Sequence, residues 1–217
     1  MPYTGDVTVG GDADVRTAGA LQVTKVATPP FENNCYLLRC TATGDTLLVD
    51  AAGDAPLLLS LVGDGRLVGV LETHGHWDHV QALAEVQQAS GAPVLVHAGD
   101  ADMLPVPADR LVADGEALLV GDCRLTVVHL EGHTPGSVGL LWEGDSERPH
   151  FWSGDSLFPG GHGRTTTEAE HVSLMDDLER KVFGPLPDET WVYPGHGKDT
   201  TLGAERPSLQ EWRARGW

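Results

Sequence analysis

The chain has 217 residues, of which 41% are hydrophobic, and its formal net charge is −18 at pH 7. That hydrophobic fraction is enough for one substantial core, and nothing in the composition requires a second domain. Because a surface this acidic repels phosphate backbones and anionic lipid, we expect neither nucleic acid nor a membrane as a partner.

Three cysteines, Cys35, Cys40 and Cys123, are distributed sparsely along the chain. An odd number without a C-x-x-C pair predicts neither a disulfide framework nor a cysteine zinc site. The N-terminus lacks the basic start and apolar stretch of a signal peptide, and no apolar run approaches the roughly 20 residues of a spanning helix. We therefore expect a cytoplasmic protein.

The first half of the chain is predicted to alternate short strands with short helices. Residues 1–20, rich in Gly, Asp, Thr and Ala, are expected to form a loose or peripheral arm that can include one edge strand. Residues 21–217 are expected to form a single domain. Apolar runs between turn residues predict strands in LQVTKVATPP, NCYLLRC, DTLLVD, LVGVLETH and PVLVHAG, whereas APLLLSLVGDG and DHVQALAEVQQASG have helical character.

The second half continues with more strands than helices. Strands are predicted in ALLVGD, RLTVVHL, VGLLWEG, HFWSGD and TWVYPG. EHVSLMDDLERKVFG is predicted to be a helix that ends at Gly184 and Pro185, and the C-terminal tail is part loop and part helix. Strands with a few helices between them, and no repeat, indicate a layered α/β domain with mixed sheets.

The segment THGHWDH, which starts at Thr73, concentrates histidines directly after an apolar run. Residues two apart in an extended segment point the same way, so His74 and His76 can converge on one point. Asp78 and His79 follow where the chain turns into a predicted helix. Imidazole nitrogen and carboxylate oxygen are both zinc ligands, so this loop is a candidate metal site.

A structural interpretation of the same segment is also open. Asp78 followed by Gln81 matches an N-terminal capping box, in which the aspartate only caps the next helix. A single histidine at a strand end is often merely solvated. The pattern H-x-H-x-D-H within one loop favours the metal site over both.

Three further loops, each after a predicted strand, offer one polar side chain beside glycine. His133 lies in EGHTPGS, Asp155 in SGDSLF and His196 in PGHG. Glycine lets the backbone approach closely, although an aspartate after glycine is by itself usually a turn residue. Together with THGHWDH, these loops place histidine and aspartate at the ends of four strands, as a site on the rim of a sheet requires.

These four segments, in this order, resemble the metallo-β-lactamase superfamily and are most similar to its glyoxalase II branch, the hydroxyacylglutathione hydrolases. The resemblance covers about residues 20–205. It implies a four-layer αββα sandwich, in which two mixed β-sheets face each other with helices outside. It also implies two divalent metal ions, most often zinc, with iron or manganese in some members.

The resemblance assigns a role to each candidate residue. The implied ligands are His74, His76 and His133 for the first metal, Asp78, His79 and His196 for the second, and Asp155 for both. Two such ions share a hydroxide that attacks a carbonyl carbon at neutral pH. Asp78 is the implied catalytic residue, because it is suited to orient this hydroxide and to accept its proton.

The expected function is hydrolysis of a small-molecule thioester, or of a related ester or lactone. One class of true β-lactamases has a cysteine where this chain has Asp155, which disfavours antibiotic hydrolysis. Glyoxalase II proper adds a C-terminal helical domain that holds glutathione, and residues 197–217 are too few to form it. The thiol carrier therefore stays open.

Other functions of the same fold are alternatives. A persulfide dioxygenase uses a single iron, held by residues matching the first histidines of THGHWDH together with His133 and Asp155. The additional presence of Asp78, His79 and His196 favours two metals. A nuclease is disfavoured by the net charge of −18, and an inactive scaffold by the complete ligand set.

The remaining histidines are less informative. His162 and Arg164, in FPGGHGRTTT, are candidates for substrate contact because this Gly-rich loop follows Asp155. His97 and His129 lie within strand runs and are expected to be structural. His171 lies near a helix start and is expected to be exposed.

Overall fold

A seven-stranded mixed sheet contains the first half of the chain in the computed structural model, which describes residues 3–144 and 147–216. The strands lie side by side in the order of the sequence. The first four pair antiparallel, and the last four pair parallel. The strands are β1 (Asp14–Ala18), β2 (Leu21–Thr28), β3 (Asn33–Cys40), β4 (Thr46–Val49), β5 (Leu67–Leu71), β6 (Val94–His97) and β7 (Arg110–Val112).

Two helices, α1 (Ala55–Val62) and α2 (Leu83–Ser90), make the crossovers from β4 to β5 and from β5 to β6 that parallel pairing requires. The side chain of Asp54 caps α1 by accepting a hydrogen bond from the N–H of Leu57. The helix predicted from Asp78 begins only at Leu83, and no side chain caps it. The capping-box interpretation of Asp78 is therefore wrong, and its carboxylate is available for other partners.

The second sheet has six strands in the order β15-β14-β11-β10-β9-β8. Within it β11 and β14 pair parallel, whereas the other neighbours pair antiparallel. A separate hairpin, β12–β13, follows β11. The strands are β8 (Ala117–Val120), β9 (Cys123–His129), β10 (Val138–Trp142), β11 (His150–Gly154), β12 (Leu157–Phe158), β13 (Gly161–His162), β14 (Trp191–Pro194) and β15 (Thr200–Thr201).

Three helices cover the second sheet: α3 (Glu168–Asp177), α4 (Leu202–Glu205) and α5 (Leu209–Arg215). A capping box between Thr167 and Glu170 starts α3, and π-helical turns continue it over Leu178–Phe183. This confirms the helix predicted before Gly184. The expectation that His171 is exposed is wrong, because its side chain is buried between α3 and the C-terminal segment.

Three apolar clusters separate the layers. The central cluster contains Leu38, Leu125 and Trp152 and lies between the two sheets. One outer cluster packs α1 and α2 on the first sheet, and the other packs α3 and α5 on the second. The αββα sandwich is thus confirmed. Among the described residues, no helix is both long enough and apolar enough to cross a membrane.

The N-terminal segment is fastened to the sandwich over its described part. Residues 14–18 form the edge strand β1, and the hydroxyl of Tyr3 donates to Asp199 across the second sheet. The N–H groups of Thr4 and Gly5 donate to Asp14. Residues 3–20 are therefore not loose, whereas residues 1 and 2 of the predicted arm lie outside the described residues.

Candidate metal centre

The loops after β5, β9, β11 and β14 meet at one edge of the sandwich. Within each of two groups there, one ligand atom per residue lies within 4.8 Å of the others. These groups are His74, His76 and His133, and Asp78, His79 and His196. The structure therefore brings together side chains that the sequence distributes over more than half of the chain.

Asp155 lies between the two groups. Its Oδ2 is 3.6 Å from Nε2 of His133 in the first group and 3.5 Å from Nε2 of His196 in the second. Its Oδ1 is 3.5 Å from Nε2 of His79. One carboxylate thus faces both groups, which is the position that a bridging ligand needs.

Backbone and side-chain acceptors orient the imidazoles from behind. Nδ1 of His133 donates to the carbonyl of Arg164 at 2.8 Å, and Nδ1 of His196 donates to the carbonyl of Phe31 at 3.2 Å. Because a carbonyl oxygen only accepts, Nδ1 carries a ring proton in both residues, and Nε2 is the nitrogen that faces the other ligand side chains. This is the arrangement that metal-binding histidines commonly have.

Several buried polar atoms in this centre have no hydrogen-bond partner within the described part of the chain. They are Nε2 of His74, Nε2 of His133 and Oδ1 of Asp155. An unpaired buried polar atom costs about 1–3 kcal/mol, so such atoms rarely cluster without a reason. Converging lone pairs of nitrogen and oxygen fit divalent cations, so the residues present are suited to hold them.

The protonation states of His74, His76 and Asp155 also suit a cation. Burial, followed by the neighbouring His79, lowers the pKa of His74 well below its usual value, and burial followed by His133 lowers that of His76. Burial alone would raise the pKa of Asp155, but the surrounding histidines, His79 foremost, hold it well below its ordinary range. At neutral pH these donors are deprotonated, as metal binding requires.

Asp50 is a functional residue that sequence reasoning missed. It is buried at the end of β4, and its Oδ2 lies 3.0 Å from Nδ1 of His79, whose ring it orients. It also accepts hydrogen bonds from the N–H and the hydroxyl of Thr73. Its oxygens approach the His74 and His79 nitrogens, but they are already engaged. The available signal was an aspartate directly after the apolar run TLLV.

Asp100 is a second missed residue, and it joins two ligand loops. The buried carboxylate accepts from the N–H of Gly75 at 2.8 Å, from the hydroxyl of Thr134 at 2.6 Å and from the N–H of Gly136 at 2.7 Å. It therefore connects the loop of His74 to the loop of His133. Its only sequence signal is an aspartate shortly after a strand, which is an ordinary turn pattern.

Asn33 is the third missed residue. Its buried amide donates from Nδ2 to Oδ2 of Asp78 at 2.9 Å and lies 3.5 Å from Nε2 of His196. Its own carbonyl accepts from the N–H of Phe31, which defines the orientation of the amide. Asn33 is thus a positioning residue for Asp78. Nothing in the letters FENN distinguishes it from a turn residue.

The two candidates for substrate contact lie beside the centre rather than in it. The backbone of Arg164 orients His133, whereas its side chain is exposed. Nδ1 of His162 lies 2.7 Å from the carbonyl of Gly163, and its ring packs at 4.8 Å from that of His171. Substrate contact by His162 or Arg164 stays a prediction. The rings of His97 and His129 stack with their centroids 4.0 Å apart, and neither residue belongs to a ligand group.

Comparison with known proteins defines the family. Residues 28–196 match the metallo-beta-lactamase superfamily, so the chain belongs to this superfamily. A hydroxyacylglutathione hydrolase of Fuscovulum blasticum is 37% identical over 168 residues, which are 76% of this chain but only 62% of that relative. This chain therefore spans less than two thirds of that enzyme.

Two solved structures share the fold at higher coverage. The crystal structure of ETHE1 from Myxococcus xanthus has a TM-score of 0.76 and 28% identity, over 88% of this chain and 84% of that one. TTHA1623 in a di-iron-bound form has a TM-score of 0.67 and 32% identity, over 84% of this chain and 96% of that one. Homologous hydrolases and candidate metal-binding groups together support a metallohydrolase.

Proposed function

We propose that this chain is a metal-dependent hydrolase that cleaves a small-molecule thioester, or a related ester or lactone. The observation that carries this proposal is the position of Asp155, whose carboxylate faces two separate ligand groups at once. A single-metal enzyme needs only one of these groups. The likeness to a di-iron protein of the same fold adds support for two ions.

The proposed ligands divide between two divalent ions. Nitrogen and carboxylate donors without a thiolate suit zinc, and they also accept iron or manganese. The first ion would be held by His74, His76 and His133, the second by Asp78, His79 and His196, and both by Asp155. The buried atoms without partners would then be satisfied.

The proposed chemistry assigns a proton-transfer role to Asp78. When bound, a pair of divalent ions supplies an acidified water and polarises the carbonyl of the substrate. Asp78 orients the attacking water and accepts its proton at a carboxylate oxygen, then returns a proton to the leaving thiol or alcohol. Asn33 holds Oδ2 of Asp78 in place, and Asp50 holds the ring of His79.

The proposal extends to partners and setting. We infer a small-molecule substrate and no nucleic-acid or membrane partner, because the net charge of −18 disfavours both. The three cysteines are buried and form no disulfide within the described residues, which is compatible with the proposed reducing cytoplasmic setting. Substrate contact by His162 or Arg164 is part of the proposal; Arg164 is exposed, and its backbone carbonyl orients His133.

The test combines metal content with activity on a panel of thioesters, lactones and persulfides. We expect close to two metal ions per chain and hydrolysis that chelation abolishes. The variant Asp78→Asn should lower kcat by about 10²–10⁴-fold, the usual contribution of a general base. Asp64→Asn, an exposed aspartate beyond α1, is the matched control and should leave kcat unchanged. Hydrolysis that persists in metal-free protein would contradict the proposal.

A mononuclear iron persulfide dioxygenase is the second candidate. It is favoured by the first ligand group, which together with Asp155 is complete without the second. The same preparation distinguishes the two functions. One iron per chain, with oxygen uptake on addition of a persulfide and no ester cleavage, would establish the dioxygenase in place of the hydrolase.

A further inference from the structure

A cavity of about 330 Å³ opens directly beside the first ligand group. Its lining includes His76 and His133 from the ligand loops, Met103, and residues from the first turns of α3. Its volume lies at the lower end of the range for small-ligand pockets. Because it shares His76 and His133 with the candidate metal centre, the cavity is within reach of a substrate bound at the first ligand group.

The elements that line the cavity pack closely on the ligand loops. A Cβ added to Gly75 would lie 2.5 Å from Cβ of Met103, so that side chain packs directly on the loop of His74 and His76. A Cβ on Gly132 would lie 2.5 Å from the carbonyl of Glu170, so α3 packs equally closely on the loop of His133. Both contacts need glycine, and the cavity is therefore preformed rather than assembled by the substrate.

The charge of the lining is one-sided. It includes Glu131 and Glu170, and none of its residues, all within the described part of the chain, is lysine or arginine. Hydrogen bonds from Thr166, first from its hydroxyl and then from its N–H, lower the pKa of Glu170. Glu170 is thus ionised at neutral pH. The side chain of Met103 adds an apolar surface to the lining, on which methyl or methylene groups can pack next to these glutamates.

A second observation connects the cavity to the reactive centre. Nε2 of His133 is buried without a hydrogen-bond partner, and the side chain is only 9% exposed although it lines the cavity. The cavity wall and the metal group therefore share a side chain whose free nitrogen is directed at the reaction site. A ligand group in the cavity is held within reach of the bond to be cleaved.

We propose that this cavity binds a cationic end of the substrate and disfavours an anionic one. The proposal rests on the hydrolase function proposed above and narrows its substrate class to esters or thioesters that carry a compact, alkylated ammonium group. Each carboxylate is expected to change the ratio of the affinity for a cation to that for an anion by about fivefold, since charges near a protein surface interact only moderately. Glutathione or coenzyme A thioesters, which carry carboxylates or phosphates, would be poor substrates.

The test uses three thioacetates of matched shape on the metal-loaded enzyme. Acetylthiocholine carries a trimethylammonium group, S-(3,3-dimethylbutyl) thioacetate replaces it with a neutral tert-butyl group, and S-acetyl-3-mercaptopropanesulfonate carries an anion. A second series carries the same three groups on the acyl side. We expect kcat/KM to decrease in the order cation, neutral, anion in the series whose charged end enters the cavity. The total difference should be about 20-fold or more, the product of two fivefold effects.

Substitutions then distinguish the effect of the two cavity glutamates from the effect of the acidic surface as a whole. Glu131→Gln and Glu170→Gln should each reduce the preference for the cation by about fivefold, and glutamine still completes the capping box at position 170. Glu143→Gln, an exposed glutamate just after β10, removes the same charge elsewhere and should change nothing.

The outcomes distinguish the two proposals. If no ester of either series is cleaved, the hydrolase function itself fails. If the esters are cleaved with equal kcat/KM in both series, or if Glu143→Gln changes the preference as much as Glu131→Gln does, the cavity proposal is overturned while the hydrolase function stands.

Discussion

At the scale of single residues, Gly195 shows how little space the centre leaves around its ligands. A Cβ at this position would lie 2.1 Å from Oδ1 of Asp155 and 2.9 Å from Cε1 of His79. Asp155 would have to move, and with it the oxygen that faces the second ligand group. The glycine before His196 is therefore required by space, and not by an unusual backbone angle.

We predict that Gly195→Ala greatly reduces metal binding while the protein still folds. Gly197→Ala is the matched control, because Gly197 has φ +69 but nothing within 4 Å of an added Cβ. The control should lose about 1–2 kcal/mol of stability from backbone strain and keep its metals. Metal content after dialysis and circular dichroism check both variants. Full metal content in Gly195→Ala would show that Asp155 is not a ligand.

Sequence reasoning found the converging side chains but not the residues that orient them. His74, His133 and His196 stand out because histidine is rare and because each follows an apolar strand. Asp50 acts through a hydrogen bond to His79 and Asn33 through one to Asp78, and aspartate and asparagine are also among the commonest residues in turns. Only the three-dimensional contacts distinguish a positioning residue from a turn residue.

At the scale of elements, the pairing of β11 with β14 contains a buried histidine. Nδ1 of His150 lies 2.8 Å from the hydroxyl of Tyr193 on the neighbouring strand. Burial, followed by the charges of Arg16 and Arg148, lowers the pKa of His150 from 6.5 to about 4. The folded protein therefore keeps this imidazole neutral at a pH where the unfolded chain protonates it.

The sign of the pH dependence follows from that difference. Between pH 6.5 and about pH 4 the unfolded state binds more protons at this site, so the free energy of unfolding falls as the pH is lowered. We predict a loss of about 2–3 kcal/mol relative to His150→Gln, which is polar but does not titrate. Urea unfolding of both metal-free proteins from pH 7.5 to pH 4 measures it. Parallel curves for the two proteins would refute the assignment.

Strands were predicted more reliably than helix boundaries. The apolar runs of β3, β9 and β11 are short and end in turn residues, so their pattern alone locates them. The start of α2 was placed at Asp78, whereas the helix begins at Leu83. Val80 is buried, as a core-facing helix residue would be. Asp78 and His79 instead bond to the distant residues Asn33 and Asp50, and this turn is not helical. Local periodicity contains no information about those contacts.

At the scale of the whole molecule, each proposed metal ion joins the two sheets. The first group takes His74 and His76 from the loop after β5 and His133 from the loop after β9. The second combines Asp78 and His79 with His196, which follows β14. Metal binding therefore crosslinks the two halves of the sandwich at one rim.

Removal of the metals should destabilise the protein as a whole. At a free metal concentration of 1,000 Kd, one site contributes about 4 kcal/mol, which corresponds to a Tm lower by roughly 10 °C in the metal-free form. Calorimetry before and after chelation measures the shift, and zinc should restore Tm whereas magnesium should not. Hydrogen exchange should increase mostly in the loops after β5 and β14. An unchanged Tm would show that the ions do not join the sheets.

The order of the ligands along the chain has a consequence for biosynthesis. A nascent polypeptide that has emerged only as far as residue 154 already contains His74, His76 and His133, but neither Asp155 nor His196. A ribosome that pauses there would expose a complete set of histidines for one ion and an incomplete set for the other. Translation therefore supplies all three histidines of the first ligand group before it supplies Asp155, which faces both groups, and His196, which completes the second.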